Sequence, residues 1–186
     1  SKADLAFTMH MLSWLAVEGT AAIVEFPGVL YRGAAEAKIR QYLVENNYVD
    51  AVIQLPPDLF FGTTIGTCII VLKKSKQDNS VLFVDASKQF VREGNKNKLS
   101  AENQEMILET LTKREDINHV AALVNAEAIR ATEFDLSVRS YVEAEDTREE
   151  VDIVELNARI KEIVERQAVL RASIDEVVAD LEGGAR

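Results

Sequence analysis

The chain has 186 residues, 47% of them hydrophobic and 28% charged, which fits one soluble globular domain with an appendage. Its net charge of −10 argues against this chain gripping a nucleic-acid backbone without a partner that supplies cations. Residues 51–72 are the most apolar stretch, but Asp58, two prolines and two glycines interrupt it, so we expect no membrane segment. We also expect a cytoplasmic protein, because no signal peptide is recognised and the lone Cys68 fits a reducing compartment.

The first part of the chain has the pattern of an α/β sheet. Residues 20–26 predict a nearly all-apolar strand that is covered on both faces. A helix over residues 34–45 follows, and then a strand over residues 48–55. Pro56 and Pro57 end that strand, because a proline donates no ladder hydrogen bond. This is half of a doubly wound sheet, and such a sheet needs further strands to bury its faces.

The middle of the chain continues with two strands, over residues 65–73 and 81–86. A short polar segment joins them, so we expect the two strands to form an antiparallel hairpin. Residues 87–99 are polar and predict an exposed loop. The remaining predicted elements are a helix over residues 100–113, a strand at 119–124, a helical turn at 126–130 and an extended segment at 134–142.

The tail carries the most regular pattern. From residue 143 onward there are 13 acidic and 6 basic residues, which account for most of the net charge. Apolar side chains recur there at alternating spacings of three and four, the a/d pattern of a coiled coil. We therefore divide the chain into a domain over residues 1–142 and a heptad-patterned helical docking arm over residues 143–186. The alternative is a helix that folds back on its own domain. The predicted docking residues are Ile153, Leu156, Ile160, Ile163, Gln167, Leu170, Ile174, Val177 and Leu181.

Motifs for self-contained catalysis are absent from the sequence, which has no Gly-rich nucleotide loop, no Walker loop and no zinc-binding pattern. We therefore expect no catalytic, cofactor-binding or metal-binding residues in this chain. Two candidates for ligand contact remain. Phe60 and Phe61 could offer a stacking face to a flat ligand, or one of them could plug the end of the core. Arg32 follows a predicted strand, at the edge where open α/β sheets bind ligands, and could meet a phosphate or only solvent.

The segments that carry a family resemblance are AAIVEFPGVLYRG, QLPPDLFFGTTIGTCIIVLKK, VLFVDASKQF and FDLSVRSYVE. With them the chain resembles the modification (M) subunit of type I restriction–modification enzymes, which are adenine-specific DNA methyltransferases that use S-adenosylmethionine. That family carries a Gly-rich cofactor turn and an Asn-Pro-Pro-aromatic catalytic motif. Neither occurs here, since Leu55 and not Asn precedes Pro56. The resemblance implies the carboxyl-terminal half of a Rossmann-like methyltransferase sheet that ends in an antiparallel hairpin, followed by a long helical tail.

Further expectations come from the same resemblance. A flipped target adenine would stack on Phe60, with Phe61 as the neighbouring candidate. The S-adenosylmethionine site would lie mainly in an amino-terminal part that this chain lacks. The tail would dock on the DNA-specificity subunit, in a complex that also contains the restriction subunit and DNA. A homo-oligomer held by the tail is a further candidate.

Two functions therefore compete. The first is part of a DNA adenine methyltransferase, which methylates the exocyclic amine of a flipped adenine, with this fragment inactive by itself. The alternative is a non-catalytic interaction or scaffold module that works through its heptad helix. A native gene that encodes the upstream catalytic motifs would favour the first function.

Overall fold

The structure is a computed structural model that describes residues 3–145 and 152–183. The chain divides into two compact units, Ser1–Glu145 and Asp146–Arg186. The helices are α1 (Asp4–Trp14), α2 (Ala35–Glu45), α3 (Ala101–Lys113), α4 (Ala126–Ala131) and α5 (Ile153–Gly183). The strands are β1 (Thr20–Glu25), β2 (Val49–Gln54), β3 (Cys68–Lys73), β4 (Ser80–Asp85), β5 (Val91–Glu93), β6 (Lys96–Lys98) and β7 (Ala121–Asn125), and short 3-10 turns occur at Pro27–Leu30 and Val138–Ser140.

The first unit is built on a mixed, mainly antiparallel five-stranded sheet with the order β1-β3-β2-β4-β7. Only β2 and β4 pair in parallel, and the other three pairs are antiparallel. Because β1 and β2 both run antiparallel to β3, the strands β1, β2 and β4 all point the same way. Their carboxyl ends therefore meet at one edge of the sheet.

The predicted hairpin between residues 65–73 and 81–86 is wrong. Strand β2 lies between β3 and β4, and β3 instead forms its antiparallel pairs with β1 and β2. The polar segment after β3 crosses the start of β2, where Lys76 Nζ donates to the carbonyl oxygens of Val49 and Ser80 at 2.6 and 2.8 Å. Both edges of β3 are thus already paired, so a short connection could not bring β4 beside it.

The core lies on both faces of the central strands. Five of the six residues of β2 are buried, which is typical of a strand covered on two sides. In β3 the buried positions alternate, so that Cys68 and Ile70 join the cluster on the α1 and α2 side, while Ile69 packs against the cluster that includes Ile107 of α3. The prediction that residues 20–26 are covered on both faces is wrong. In the described part of the chain β1 is an edge strand that pairs only with β3, and Val24 is 47% exposed.

Two local expectations also differ from the structure. The predicted loop 87–99 contains a small antiparallel hairpin, β5 and β6, that turns at Gly94 with φ of +59°. Gly-Asn at 94–95 is a recognised hairpin signal that the polar composition concealed. The segment 134–142, predicted to be extended, contains the 3-10 turn Val138–Ser140, which begins soon after Phe134 adopts a left-handed backbone with φ of +60°.

The second unit is described as one continuous helix, α5, of 31 residues. All nine predicted docking residues lie on it. Gly183 is its last described residue. No helix within residues 3–145 and 152–183 is both long enough and apolar enough to cross a bilayer.

Candidate functional site

A cleft of about 340 Å³ opens at the sheet edge where β1, β2 and β4 end. This is the edge at which open α/β sheets bind ligands. Three segments form most of its walls: the turn after β1, the loop between β2 and β3, and the segment that follows α4; Ser87, just after β4, also lines the cleft. Its lining residues are Pro27, Leu30, Tyr31, Gln54, Leu55, Pro57, Ile65, Gly66, Ser87, Ser137, Val138 and Arg139.

The first wall is the turn over residues 26–33. Val29 and Leu30 are fully buried and anchor the turn in the core, which leaves Tyr31 exposed at the cleft. At Gly28 a Cβ atom would lie 2.2 Å from a guanidinium nitrogen of Arg32, so a larger residue there would displace the end of this flexible side chain. The turn therefore folds tightly under its own arginine.

Arg32 is occupied within this turn. Its guanidinium lies 3.5 Å from a carboxylate oxygen of Asp4 and 3.5 Å from one of Glu36. Arg32 is not among the residues that line the cleft. A phosphate at Arg32 would have to compete with these two carboxylates. The contact of Arg32 with the DNA backbone therefore stays a prediction, and forming it would require these ion pairs to break.

The second wall is the loop over residues 55–67, which carries the two predicted stacking residues. Phe61 is fully exposed, while Phe60 is 39% exposed. Neither ring lines the cleft itself, whose surface in this loop comes from Leu55, Pro57, Ile65 and Gly66. The two phenylalanines therefore stand beyond the cleft, on the part of the loop that reaches into solvent.

The β5–β6 hairpin supports this loop. The buried Asn97 donates from Nδ2 to the carbonyl oxygen of Pro57 at 2.7 Å, and its backbone N–H donates to the carbonyl oxygen of Asp58 at 3.1 Å. Lys96 Nζ donates to the carbonyl oxygen of Phe60 at 3.2 Å. Sequence reasoning missed this support, because a stretch rich in Lys and Asn has the composition of a solvated loop.

The third wall is the segment 136–139. The backbone N–H of Leu136 donates to the carbonyl oxygen of Leu30 at 2.9 Å, which joins the third wall to the first. Tyr141 packs on the fully buried Phe83 of β4, with ring centroids 4.2 Å apart. Among the described residues that line the cleft, Arg139 carries the single positive charge and is exposed.

Arg40 of α2 joins the first wall of the cleft to the third wall through hydrogen bonds. Its side chain is buried, and its guanidinium donates to the carbonyl oxygens of Phe134, Val29 and Arg32 at 2.9, 3.0 and 2.7 Å. Burial lowers the pKa of Arg40, and the nearby carboxylates of Asp135 and Glu36 oppose that shift. This cation satisfies backbone acceptors and is not presented to a ligand.

Four polar residues of the cleft were not predicted, namely Gln54, Ser87, Ser137 and Arg139. The sequence did contain a signal for Gln54 and Ser87. Gln54 ends β2 and Ser87 follows β4 by two positions, so both stand at carboxyl ends of parallel strands. No comparable signal marks Ser137 or Arg139, because their place depends on how the segment after α4 folds back.

Two titratable groups near this edge, Glu25 and Cys68, have raised pKa values. Burial raises the pKa of Glu25, and a hydrogen bond from Thr8 Oγ1 at 3.1 Å opposes that shift. Burial also raises the pKa of the Cys68 thiol to about 12, which keeps it protonated and poorly nucleophilic. His10 and His119 do not line the cleft, and within the described ranges no group of His, Cys, Asp or Glu side chains is arranged to hold a metal ion.

Comparison with known proteins identifies the family. The sequence model of the N-6 DNA methylase family matches residues 1–150. The chain belongs to the N-6 DNA methylase family. The predicted resemblance to type I modification subunits is thereby confirmed, and so is the place of the chain among methyltransferases of restriction–modification systems.

Individual relatives of this N-6 DNA methylase chain agree. The methylase subunit of the type I restriction enzyme MpnII from Mycoplasma pneumoniae is 47% identical over 182 residues, which are 97% of this chain and 34% of that protein. The MjaVII methylase subunit from Methanocaldococcus jannaschii is 31% identical, over 97% of this chain and 32% of that protein. The crystal structure of the type I methyltransferase subunit from Streptococcus thermophilus matches with a TM-score of 0.75 at 42% identity, over 77% of this chain and 31% of that chain.

This N-6 DNA methylase chain thus spans about a third of the length of these relatives. The relatives are methylase subunits, which does not favour the non-catalytic scaffold that the sequence left open.

Proposed function

We propose that this chain supplies the target-base side of an adenine-specific DNA methyltransferase, the modification subunit of a type I restriction–modification system. The carrying observation is the cleft at the carboxyl ends of β1, β2 and β4, bordered by a loop that projects two exposed phenylalanines. Membership of the N-6 DNA methylase family supports the same reaction class. In this view the sheet is the distal half of a Rossmann-like methyltransferase sheet.

The chemistry explains why an aromatic loop belongs at this edge. The exocyclic amine of adenine is hydrogen-bonded inside duplex DNA, so a methyltransferase has to flip the base out of the stack before it can react. A flipped base loses its stacking neighbours, and an aromatic side chain replaces about 1–3 kcal/mol of that interaction. Phe60 and Phe61 are the aromatic residues that the loop over residues 55–67 offers for this role.

S-adenosylmethionine is the methyl donor that the family implies, and the residues of the cleft do not by themselves fit it. The twelve lining residues include no carboxylate that could hold ribose hydroxyl groups, and the sequence has no Gly-rich cofactor turn. We therefore place the cofactor site and the catalytic motif mainly in the part of the modification subunit that this chain does not include. The chain by itself is then inactive.

The partners proposed for the intact subunit follow from the same reading. The helix α5 docks on the DNA-specificity subunit, in an assembly that also binds the restriction subunit and DNA. The acidity of the tail suits a protein contact better than a phosphate backbone. Arg139, exposed at the cleft, joins Arg32 as a candidate for contact with DNA.

The test uses the intact modification subunit assembled with its specificity subunit. Phe60→Ala and Phe61→Ala are compared with Phe90→Ala, a matched control because Phe90 is 38% exposed and lies outside the loop. We expect at least one loop variant to lower methyl transfer about 10- to 100-fold, from the loss of about 1–3 kcal/mol of stacking, with DNA retention nearly unchanged. Turnover equal to that of Phe90→Ala in both loop variants would remove the two residues from the site.

A second measurement tests whether the cofactor site lies outside this chain. Isothermal titration of S-adenosylmethionine into this 186-residue chain should give no stoichiometric binding, because the cofactor groups are supplied elsewhere. The intact subunit is the positive control. Stoichiometric binding by the short chain would contradict the placement of the cofactor site.

A further inference from the structure

The β5–β6 hairpin is a basic element in an acidic chain. It carries Arg92, Lys96 and Lys98 and a single acidic residue, Glu93, while the whole chain has a net charge of −10. An acidic chain repels other anions over most of its surface, so cations gathered on one small element create a local site where an anion can bind. The composition of the hairpin therefore indicates an anionic ligand.

The hairpin lies beside the loop that carries the two predicted stacking residues. Arg92 Nη1 lies 3.4 Å from Asp58 Oδ2 at the start of this loop. Lys96 reaches further along it, where Nζ donates to the carbonyl oxygens of Phe60 and Thr63 at 3.2 and 3.3 Å. The cations of the hairpin and the aromatic loop thus belong to one surface.

Lys96 is the cation with a donor left for a ligand. An ammonium group has three N–H donors, and carbonyl oxygens of the loop accept from two of them. In the part of the chain that the structure describes, no carboxylate oxygen lies within 4 Å of Lys96 Nζ, so no ion pair neutralises its charge. A phosphate oxygen would accept from the third N–H and balance the charge at the same time.

Arg92 and Lys98 take part in exposed ion pairs. Their side chains are 52 and 63% exposed, and Lys98 Nζ lies 2.9 Å from Glu93 Oε2. Ion pairs at this exposure contribute little to stability, because water and salt screen them. A phosphate can therefore replace these carboxylates at small cost, and both side chains add to the positive potential around Lys96.

We propose that the β5–β6 hairpin binds a DNA backbone phosphate next to the flipped nucleotide, with Lys96 as the direct contact and Arg92 and Lys98 as flanking cations. The inference rests on the proposed function and adds the group that positions the DNA backbone. A base that leaves the stack rotates about its own backbone, so the phosphate beside it has to stay in place while the base turns. Phosphate contacts fix the position of a protein on DNA without reading sequence. Lys96 bonds to the backbone of Phe60 itself, which sets such a contact directly beside the proposed stacking ring.

The competing explanation is that Lys96 only supports the loop. The two carbonyl oxygens need a donor but not a charge, so a neutral amide can serve that purpose. Binding a phosphate needs the charge. Lys96→Gln removes the charge and keeps a donor, whereas Lys96→Arg keeps both, so the two variants separate the two roles.

The experiment uses the intact modification subunit assembled with its specificity subunit, and duplex DNA that contains the target site. Affinity is measured by titration of labelled DNA at salt concentrations from about 50 to 200 mM. Loss of one phosphate contact lowers the slope of log Kobs against log salt by about 0.9 for each copy of the subunit on the DNA. The affinity deficit of Lys96→Gln relative to the parent should therefore shrink about 3.5-fold per copy across this range.

Lys113→Gln is the matched control. Like Lys98, Lys113 is an exposed lysine paired with a glutamate, but it ends α3, next to Arg114, whose guanidinium binds Asp50 near the start of β2. The aromatic loop follows the other end of β2, so Lys113→Gln should leave the salt slope unchanged. Lys96→Arg should keep the parent slope. A parent slope in Lys96→Gln, or an equal decrease in Lys113→Gln, would overturn the proposal.

Hydrogen exchange over residues 57–63 shows whether the loop keeps its order. We expect Lys96→Gln to speed exchange there much less than Asn97→Ala, which removes the buried donor to Pro57. Exchange as fast as in Asn97→Ala, together with a parent salt slope, would assign Lys96 to support of the loop alone and overturn the phosphate contact.

The outcome is separable from the test of the proposed function. Phe60→Ala and Phe61→Ala are assessed by methyl transfer, whereas Lys96→Gln is assessed by the salt dependence of DNA binding. A parent salt slope in Lys96→Gln beside reduced turnover in a phenylalanine variant would overturn the phosphate site alone. Parent turnover in both phenylalanine variants beside a lowered slope in Lys96→Gln would remove the stacking residues and leave the phosphate contact standing.

Discussion

Replacing Arg40 by methionine tests whether one buried cation assembles the cleft. The side chain is 3% exposed and donates to three carbonyl oxygens, on Phe134, Val29 and Arg32. Methionine keeps the apolar stem but offers no donor. The carbonyl oxygens of Val29 and Phe134 then lose a partner that is 11 and 94 positions away in sequence.

The magnitude follows from these bonds. A buried acceptor that loses its partner costs about 1–3 kcal/mol, and removing a desolvated charge returns part of that sum. With about 1 kcal/mol or slightly more lost at each of three acceptors, we expect the free energy of unfolding to fall by about 3–4 kcal/mol. For a chain of this size, that corresponds to a decrease in Tm of roughly 10 °C. Arg40→Lys should recover only part of the loss, because an ammonium group cannot span the three acceptors as the planar guanidinium does.

Urea unfolding followed by circular dichroism measures the loss, with Lys38→Met as the control. Lys38 lies on the same helix but is exposed, so its substitution should change stability by less than about 0.5 kcal/mol. Hydrogen exchange at the Leu136 amide reports on the junction of the two walls, since that N–H donates to Leu30. A free energy of unfolding within about 1 kcal/mol of the parent value, with unchanged protection at Leu136, would refute the role of Arg40 in joining the two walls. This limit is about the smallest cost of one acceptor that loses its partner.

Three further predictions concern buried polar groups. Because burial raises the pKa of Glu25 above 4.5, its stabilising contribution is complete below that pH and is lost as the pH rises through the folded-state value. Glu25→Gln should therefore gain more in thermal stability over the parent at pH 8 than at pH 4, and an equal gain at both would contradict the shift. Thr67 Oγ1 is buried without a hydrogen-bond partner among the described residues, so Thr67→Val should be neutral or stabilising by about 1 kcal/mol in urea titrations. Thr8→Val, which loses the bond to Glu25, should destabilise, and the reverse order would contradict the assignment. Asn97→Ala should speed hydrogen exchange across residues 57–63 with less effect elsewhere, and a uniform change would argue against local support of that loop.

The local sequence pattern was sufficient to predict the bounds of those helices and strands that depend mainly on their own residues. The helix α2 and the strand β2 lie within one residue of their predicted bounds, because periodicity and the stop at Pro56 act over a few positions. The heptad stripe of α5 was equally visible, since it needs only one regular repeat. The place of β3 between β1 and β2 was not predictable from these patterns. A connection of six polar residues between two strands suggests a hairpin. The position of β2 between β3 and β4 depends on how all five strands pair in the folded sheet, which the connection by itself does not indicate.

The candidate site divides along the same line. The sequence by itself was sufficient for the family, for the loop that carries Phe60 and Phe61, and for the heptad stripe of α5, because each can be read from the order of residues along the chain. Only the tertiary structure decided that Arg32 is held by Asp4 and Glu36, and that Arg139 reaches the cleft. The reason is physical. These positions depend on bonds such as the one from Arg40 to Phe134, whose partners are 94 residues apart and which leaves no mark on either local sequence.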